Sequence, residues 1–190
     1  MASITKLMTV MVVLDAKQNL KESVGNFSRA ELIQLAIVKS DNTAAAELCR
    51  HYPGGTFSCL RAMNDRATAL GMLDTKYIES TGLSIMNIST AEDIIQLVQA
   101  AATYPEIVAA SQLSQIKIKI RKRWFVFHNT NPIIGHRQNI IVSKTGFINA
   151  SGGCIAMMLD TDIGRRIVVV LGSKNTHTRI PEAEFIVQQF

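Results

Sequence analysis

The feature of the sequence that most constrains its fold is a change in hydrophobic pattern near residue 115. Upstream of it, apolar residues recur at helical spacing in stretches that end at Gly, Pro or Asp-Asn breaks. Downstream, short runs alternate apolar with polar or basic residues, which is typical of half-buried strands. A helical block followed by a series of strands predicts an α+β fold, with helices packed on an antiparallel sheet.

Local signals place the individual elements. Ser28 and Glu31 predict a capping box at a helix start, and Gly71 predicts a helix end. Residues 72–89 are expected to be mostly irregular, and the last two strands to form a hairpin. The predicted helices cover residues 4–17, 28–39, 43–50, 57–70, 89–103 and 181–189, and the predicted strands cover 116–120, 124–127, 140–144, 154–159 and 166–171. Because no repeat or linker interrupts the chain, we expect one domain, residues 1–190.

Composition excludes several classes of protein. Hydrophobic residues make up 47% and charged residues 18%, which is a globular rather than a disordered composition. The net charge of +5 suits an anionic partner such as nucleic acid, anionic lipid or an acidic polymer like peptidoglycan. We expect the one dense basic run to be a solvated strand pair, because no RNA-recognition motif accompanies it. That run consists of Lys117, Lys119, Arg121, Lys122 and Arg123.

Cysteines and histidines give no sign of a metal site. The three cysteines do not form a disulfide framework, and we expect Cys49 and Cys59, which could pair, to be buried free thiols instead. The four histidines lack the spacing of metal ligands, so we expect no metal. No signal peptide is recognised, and no apolar stretch reaches the roughly 20 residues that cross a bilayer.

Three short motifs carry the chemistry. They are Ser3-Ile-Thr-Lys6, Ser40-Asp41-Asn42 and Lys144-Thr145-Gly146, which have the forms S-x-x-K, S-D-N and K-T-G. Each alone is weak, but all three in this order arise by chance in roughly one of several hundred such chains. A second S-x-x-K, at residues 114–117, follows Ser40 and therefore fails the order.

The spacing of Ser3 and Lys6 suits nucleophilic catalysis. Three residues apart at the start of a predicted helix, the two side chains share one face. A serine hydroxyl needs a nearby base, and a lysine serves only if its pKa falls. The apolar residues after Lys6 predict burial, and Lys144 could supply a neighbouring cation that lowers the Lys6 pKa. Ser40 and Asn42 are expected in a cleft between two helices, and Lys144 and Thr145 at a strand end where they can bind a carboxylate.

The sequence resembles the low-molecular-mass penicillin-binding proteins, in particular those that are D-alanyl-D-alanine endopeptidases. The resemblance extends over nearly the whole chain and implies the β-lactamase/D,D-peptidase fold, with an antiparallel sheet, flanking helices and a helical subdomain. It also implies two strands and a helix ahead of Ser3, so this chain is expected to be N-terminally truncated. The stretches that carry the resemblance are residues 1–9, 11–16, 51–55, 81–84, 87–93, 129–131 and 144–154.

The resemblance implies a role for each motif residue. Ser3 attacks the carbonyl of a D-alanyl bond and Lys6 takes its proton. Asn42 hydrogen-bonds the substrate amide or Lys6, while Ser40 and Lys144 pass a proton to the leaving amine. The remaining implied roles are carboxylate binding by Lys144 and Thr145, close ligand approach at Gly146, and an oxyanion hole formed by the backbone N–H groups of Ser3 and Phe147.

The same resemblance implies the partners and the setting. They are peptidoglycan peptide stems as substrate, β-lactams as covalent inhibitors of Ser3, no cofactor and a periplasmic location. Two positions depart from the family pattern: Ile148 replaces a threonine and Ser151 an alanine. The segment between Lys6 and Ser40 is also shorter than in relatives.

Several alternatives remain open at this point. A D,D-carboxypeptidase shares the same motifs, and an inactive truncated remnant could still bind peptidoglycan or a β-lactam. A β-lactamase is less favoured, because no E-x-x-x-N segment is evident to hold a deacylating water. The basic run leaves a nucleic-acid-binding module as a distant alternative.

Overall fold

The computed structural model describes residues 1–137 and 139–189 as an α+β fold built around one buried helix, α1 (Thr5–Asp15). Nine consecutive residues of α1, Thr5 to Val13, are buried. A helix that is apolar on all sides must be surrounded. It packs against α3 (Asn42–Arg50), α4 (Gly55–Ala69) and α5 (Ala91–Ala101). The predicted helix over 4–17 is therefore confirmed, and a short 3-10 turn, Ala2–Ile4, precedes it.

The sheet at the second half of the chain is antiparallel, as expected. Its strands are β5 (Ile140–Ile148), β6 (Gly152–Thr161) and β7 (Gly164–Ser173), in the order β5-β6-β7. Alternate residues of β6 enter two apolar clusters: Cys154, Ala156 and Met158 face α1, whereas Ile155, Met157 and Leu159 face α7 (Arg179–Val187). Both faces of the central strand are thus covered, which fixes β5 between two layers of helix.

Two smaller strand pairs flank this core. The pair β1 (Ser23–Val24) and β2 (Phe27–Ser28) was not expected from the sequence. The pair β3 (Gln115–Ile120) and β4 (Arg123–His128) confirms the predicted hairpin at the basic run.

The helical block differs from expectation in two places. The helix predicted over 28–39 is α2 (Arg29–Gln34), which has the predicted capping box, followed by a π-helical turn, Leu35–Lys39. Helix α6 (Pro105–Gln112) was not predicted from the sequence; Pro105 occupies its first turn, where the missing N–H of proline costs nothing. No helix within the described residues is long and apolar enough to span a bilayer.

The expectation that Cys49 and Cys59 are free thiols is wrong. They form a disulfide, with Cα atoms 5.4 Å apart, while Cys154 is free and buried. The sequence suggested isolated apolar positions on separate helices. In the fold, Pro53-Gly54-Gly55 turns the chain back so that α3 and α4 pack side by side, which brings the two cysteines within bonding distance.

Because this disulfide closes a loop of 10 residues, we expect Cys49→Ala/Cys59→Ala to lower the free energy of unfolding by about 2–3 kcal/mol. The measurement is urea unfolding of both proteins with and without reductant. Reductant should destabilise the wild type and leave the double variant unchanged. Thiol titration of the denatured, unreduced wild type should find only Cys154, and reaction of all the cysteines would contradict the disulfide.

Candidate active site

The amino group of Lys6 lies at the centre of the candidate site. Its Nζ donates hydrogen bonds to Ser3 Oγ at 2.8 Å, to Asn42 Oδ1 at 2.7 Å and to the Thr81 carbonyl at 2.6 Å. Lys6 is fully buried. The structure therefore brings the S-x-x-K and S-D-N motifs together around one nitrogen, and places Asn42 against Lys6.

The protonation state of Lys6 decides what this arrangement can do. Burial lowers the Lys6 pKa from 10.5 to about 8, although the negative charges of Glu79 and Asp41 oppose that shift. At pH 7 the neutral fraction is then about one in ten, instead of about one in three thousand for a free lysine. A neutral amine has two N–H donors and one lone pair. If Asn42 and Thr81 accept those two N–H groups, the lone pair is left facing the Ser3 hydroxyl, which is the geometry of a general base.

Backbone geometry between helices places the S-D-N motif. Ser40 has a φ of 58° and lies at the end of the π-helical turn, so the chain reverses there. The Asp41 side chain then caps α3, accepting from Ala44 N at 2.8 Å, and Asn42 is the first residue of that helix. Asp41 thus has a local structural contact, while its two neighbours face the cleft.

The K-T-G motif lies within β5, which continues to Ile148, and not at a strand end as the sequence predicted. Lys144 Nζ donates to Ser40 Oγ at 2.7 Å and to the Thr145 carbonyl at 3.0 Å. The pKa of Lys144 is lowered well below 10.5, by burial first and then by the charges of Lys6 and Arg179. The sequence-based hypothesis had the effect running from Lys144 to Lys6. In the structure the effect runs the other way: the charge of Lys6 lowers the pKa of Lys144, whereas burial lowers the pKa of Lys6.

Two glycines let the motifs meet at Ser3. A Cβ on Gly82, which has a φ of 84°, would fall 2.0 Å from the Ala2 carbonyl oxygen and 2.8 Å from Ser3 N. A Cβ on Gly146 would also fall 2.8 Å from Ser3 N. Backbone atoms cannot give way to such contacts, so only glycine fits at either position. Gly146 thereby lets β5 pass directly against the backbone N–H of Ser3, one residue before Phe147, whose N–H the resemblance implies for an oxyanion hole.

A half-buried carboxylate, Glu79, organises the irregular segment that holds Lys6. Its two oxygens accept from the Thr81 N–H and hydroxyl at 2.6 Å each, from Gly82 N at 2.7 Å, and from Asn87 Nδ2 at 2.8 Å. Ser84 N is a weaker fifth donor at 3.4 Å. Glu79 therefore fixes the turn that points the Thr81 carbonyl at Lys6, and its charge favours the ammonium form.

Three further residues at the site were missed by the sequence analysis. Thr130, which follows β4, is 2.6 Å from the Thr145 hydroxyl. Arg179 of α7 is buried and donates to the Gly146 carbonyl at 2.7 Å. The third is Thr81. None of the three belongs to a recognised motif. Thr81 and Thr130 lie in stretches that resemble the family, and this was the only sequence signal for them. With Ile148 offering no hydroxyl, Thr130 and Arg179 supply polar groups at this end of the cleft.

The site contains cations but no metal centre. No cluster of three or more His, Cys, Asp or Glu side chains that could hold a metal occurs in the part of the chain that the structure describes. Lys6 and Lys144 instead donate to the two ends of the S-D-N motif, at Asn42 and Ser40, and Arg179 donates to the backbone of the K-T-G motif. That arrangement suits an anionic ligand and a serine nucleophile.

Removal of the Glu79 charge tests its role. We expect Glu79→Gln to lower the Lys6 pKa below about 8, because the carboxylate that favours the ammonium is lost. It should also cost about 1–3 kcal/mol of stability, because a single amide oxygen cannot accept all the hydrogen bonds of the carboxylate. NMR of selectively labelled lysine gives the pKa, and urea unfolding gives the stability.

Glu92→Gln, an exposed carboxylate in the first turn of α5, is the matched control and should shift neither value. A Lys6 titration midpoint that is the same in Glu79→Gln and in the wild type would rule out this electrostatic coupling.

Comparison with solved structures identifies the fold. The Streptomyces K15 DD-transpeptidase superposes with a TM-score of 0.90 at 22% identity, over 98% of this chain and 86% of that one. Penicillin-binding protein D2 of Listeria monocytogenes, solved in an ampicillin-bound form, superposes with a TM-score of 0.86 at 24% identity, over 99% of this chain and 85% of that one. The expected α+β, D,D-peptidase-like fold is confirmed.

Comparison of sequences identifies the family. The chain is 38% identical to a D-alanyl-D-alanine endopeptidase of Pseudomonas aeruginosa and 36% identical to one of Escherichia coli, in each case over 96% of this chain. It spans 66% of the length of each of these relatives. Residues 20–175 match the model of the D-alanyl-D-alanine carboxypeptidase family. That match covers most of the chain, and the chain belongs to the D-alanyl-D-alanine carboxypeptidase family of peptidases.

Proposed function

We propose that this chain is the catalytic region of a serine-type D-alanyl-D-alanine endopeptidase, which hydrolyses peptide cross-links in peptidoglycan through an acyl-enzyme on Ser3. The observation that carries the proposal is the buried Lys6 amino group, 2.8 Å from Ser3 Oγ and with a pKa lowered to about 8. Relatives named as endopeptidases, at 38% and 36% identity, support this reaction rather than another of the family.

Acylation begins with proton transfer from Ser3 to Lys6. The serine oxygen attacks the D-alanyl carbonyl while neutral Lys6 accepts the hydroxyl proton. The oxyanion that forms is stabilised in this proposal by the backbone N–H groups of Ser3 and Phe147, and the close approach of Gly146 to the Ser3 N–H supports this pairing. Ser3 also stands at the start of α1, so the positive end of the helix dipole favours the same negative charge.

Departure of the amine needs a proton at its nitrogen. Ser40 can donate its hydroxyl proton to that nitrogen and recover one from the ammonium form of Lys144, since their side chains are 2.7 Å apart, while Lys6 keeps the proton that it took from Ser3 until that proton is returned to the serine oxygen in deacylation. The C–N bond then breaks and the acyl group stays on Ser3. Water later attacks the ester carbonyl, which frees a carboxylate and restores the serine hydroxyl. The chemistry requires no cofactor and no metal.

A carboxylate beside the scissile bond explains the cationic end of the cleft. Both a terminal D-Ala and a diaminopimelate cross-link present a carboxylate on the carbon that bears the leaving nitrogen. Lys144, Thr145, Thr130 and Arg179 gather the donors for it around the K-T-G strand. β-Lactams offer the same pairing of a reactive carbonyl with a carboxylate, so we expect them to acylate Ser3.

A D,D-carboxypeptidase is the second candidate, because the family description names that reaction and the same cleft would bind a terminal D-Ala. An inactive remnant that only binds peptidoglycan is less favoured, since the residues that would activate Ser3 are assembled. The Cys49–Cys59 disulfide supports an oxidising compartment, and with the family it favours the periplasm.

The first experiment is labelling of the purified chain with a fluorescent penicillin. We expect a covalent adduct that is absent in Ser3→Ala, and an acylation rate that rises with pH to a midpoint near 8. The sign follows from the lowered pKa of Lys6: the base is protonated and inactive below about 8 and becomes neutral above it. Circular dichroism across the same range confirms that the chain stays folded. A folded chain that gives no adduct would defeat the proposal.

The second experiment separates endopeptidase from carboxypeptidase. Incubation with a purified cross-linked muropeptide dimer and with a monomeric pentapeptide stem should release monomers from the dimer faster than D-Ala from the pentapeptide. Ser3→Ala should do neither. Release of D-Ala alone would assign the carboxypeptidase reaction, and rapid turnover of nitrocefin would indicate a β-lactamase.

A further inference from the structure

The charge of this chain is unevenly distributed along its sequence. Residues 107–159 contain seven of the 20 Lys and Arg residues and none of the 15 Asp and Glu residues. Five of those seven lie on the β3–β4 hairpin or in its turn. The rest of the chain is therefore slightly acidic, and the hairpin is the source of its positive charge.

The register of the hairpin places this charge on one face. Ile116 and Ile118 of β3 are buried, so their side of the hairpin faces the core. On the opposite side, Lys117 pairs with Val126 and Lys119 pairs with Trp124, and directly paired residues share a face. We call these four residues, Lys117, Lys119, Trp124 and Val126, the basic platform.

The side chains of the basic platform are largely exposed and make few contacts with the rest of the chain. Trp124 is 67% exposed and Val126 45%. Lys119 Nζ is 6.0 Å from the centre of the Trp124 ring, a cation–π contact that leaves the ring's other face open. Among the described residues, no salt bridge involves a hairpin lysine or arginine. The Trp124 ring and the two lysines are therefore accessible to a ligand.

Strand β4 connects the basic platform to the cleft. Two residues after β4, Thr130 is hydrogen-bonded to Thr145, and its N–H donates to the Val38 carbonyl at 3.1 Å. Trp124 is six residues from Thr130, which corresponds to about 20 Å along an extended strand. An extended peptide of four or five residues spans roughly 13–18 Å. A stem peptide that reaches the cleft can therefore begin near the basic platform.

We propose that the basic platform binds the polymeric substrate outside the cleft, with a sugar ring of the glycan strand on Trp124 and stem carboxylates on Lys117 and Lys119. This inference rests on the proposed function, because it assumes that the cleft takes peptidoglycan stems. The ligand is an acidic glycopeptide polymer rather than nucleic acid, since the platform leads directly to the peptidase cleft and the disulfide indicates an oxidising compartment.

The test compares polymer with small substrates. Lys117→Glu/Lys119→Glu should weaken binding to isolated peptidoglycan sacculi about tenfold and slow cross-link release from sacculi by a similar factor. Trp124→Ala should weaken sacculus binding at least about fivefold through loss of the ring. Acylation by penicillin, which is too small to reach the basic platform from the cleft, should stay at the wild-type rate in both variants.

The control is Lys21→Glu/Lys174→Glu, which makes the same charge change at two exposed lysines outside the hairpin and should leave sacculus binding unchanged. Equal loss in this control, unaltered sacculus binding in the hairpin variants, or slower acylation of the hairpin variants by penicillin would each overturn the inference. So would preferential, strongly salt-dependent binding of DNA. Binding is measured by co-sedimentation of the Ser3→Ala form, so it does not depend on catalysis. If the platform binds sacculi but the wild-type chain fails to cleave the muropeptide dimer, only the proposed function is refuted.

Discussion

The structure depends on holding one lysine amino group where water cannot reach it. A buried ammonium is tolerated only if acceptors replace its hydration. For Lys6 those acceptors come from three separate parts of the chain: Ser3 before α1, Asn42 at the start of α3, and the Thr81 carbonyl of an irregular segment. Because the three acceptors lie on different parts of the chain, those parts must be positioned together before Lys6 can contact all of them. The fold around α1 is therefore organised by the same contacts that would make Lys6 a base.

A second lysine, Lys144, is buried near Lys6, and the two lysines belong to motifs on different elements of the fold. Lys6 comes from the central helix and Lys144 from the sheet, and each contacts a different serine. Burial and the positive charges of Lys6 and Arg179 hold the pKa of Lys144 well below 10.5. The Lys144 ammonium therefore gives up its proton readily, which suits a group that passes a proton toward the leaving amine, whereas neutral Lys6 is placed to accept the proton of Ser3.

The sequence predicted the parts of this site that depend on local pattern. Helix α1, the β3–β4 and β6–β7 hairpins and the three motifs follow from periodicity and short-range spacing. The contacts of Glu79, Thr130 and Arg179 do not, because they arise where an irregular segment, a strand end and a distant helix converge. The pairing of Cys49 with Cys59 was missed for the same reason: it depends on how α3 and α4 cross, which apolar spacing within each helix does not determine. Helix α6 was not predicted because its local signal is ambiguous: a proline can follow the end of one helix or occupy the first turn of the next.

The segment that contains Glu79 shows how an irregular stretch can be rigid enough to serve a catalytic site. Without helix or strand, its backbone N–H groups need other acceptors. The Glu79 carboxylate accepts from the backbone N–H groups of Thr81 and Gly82. The buried Asn87 side chain connects the segment to α1, because it accepts from Ile78 N at 2.9 Å and donates to Thr5 Oγ1 at 3.3 Å. Gly82 then has no room for a side chain against Ala2. The carbonyl that faces Lys6 is therefore fixed from two sides, so the base is oriented before any substrate arrives, which lowers the reorganisation that the reaction requires.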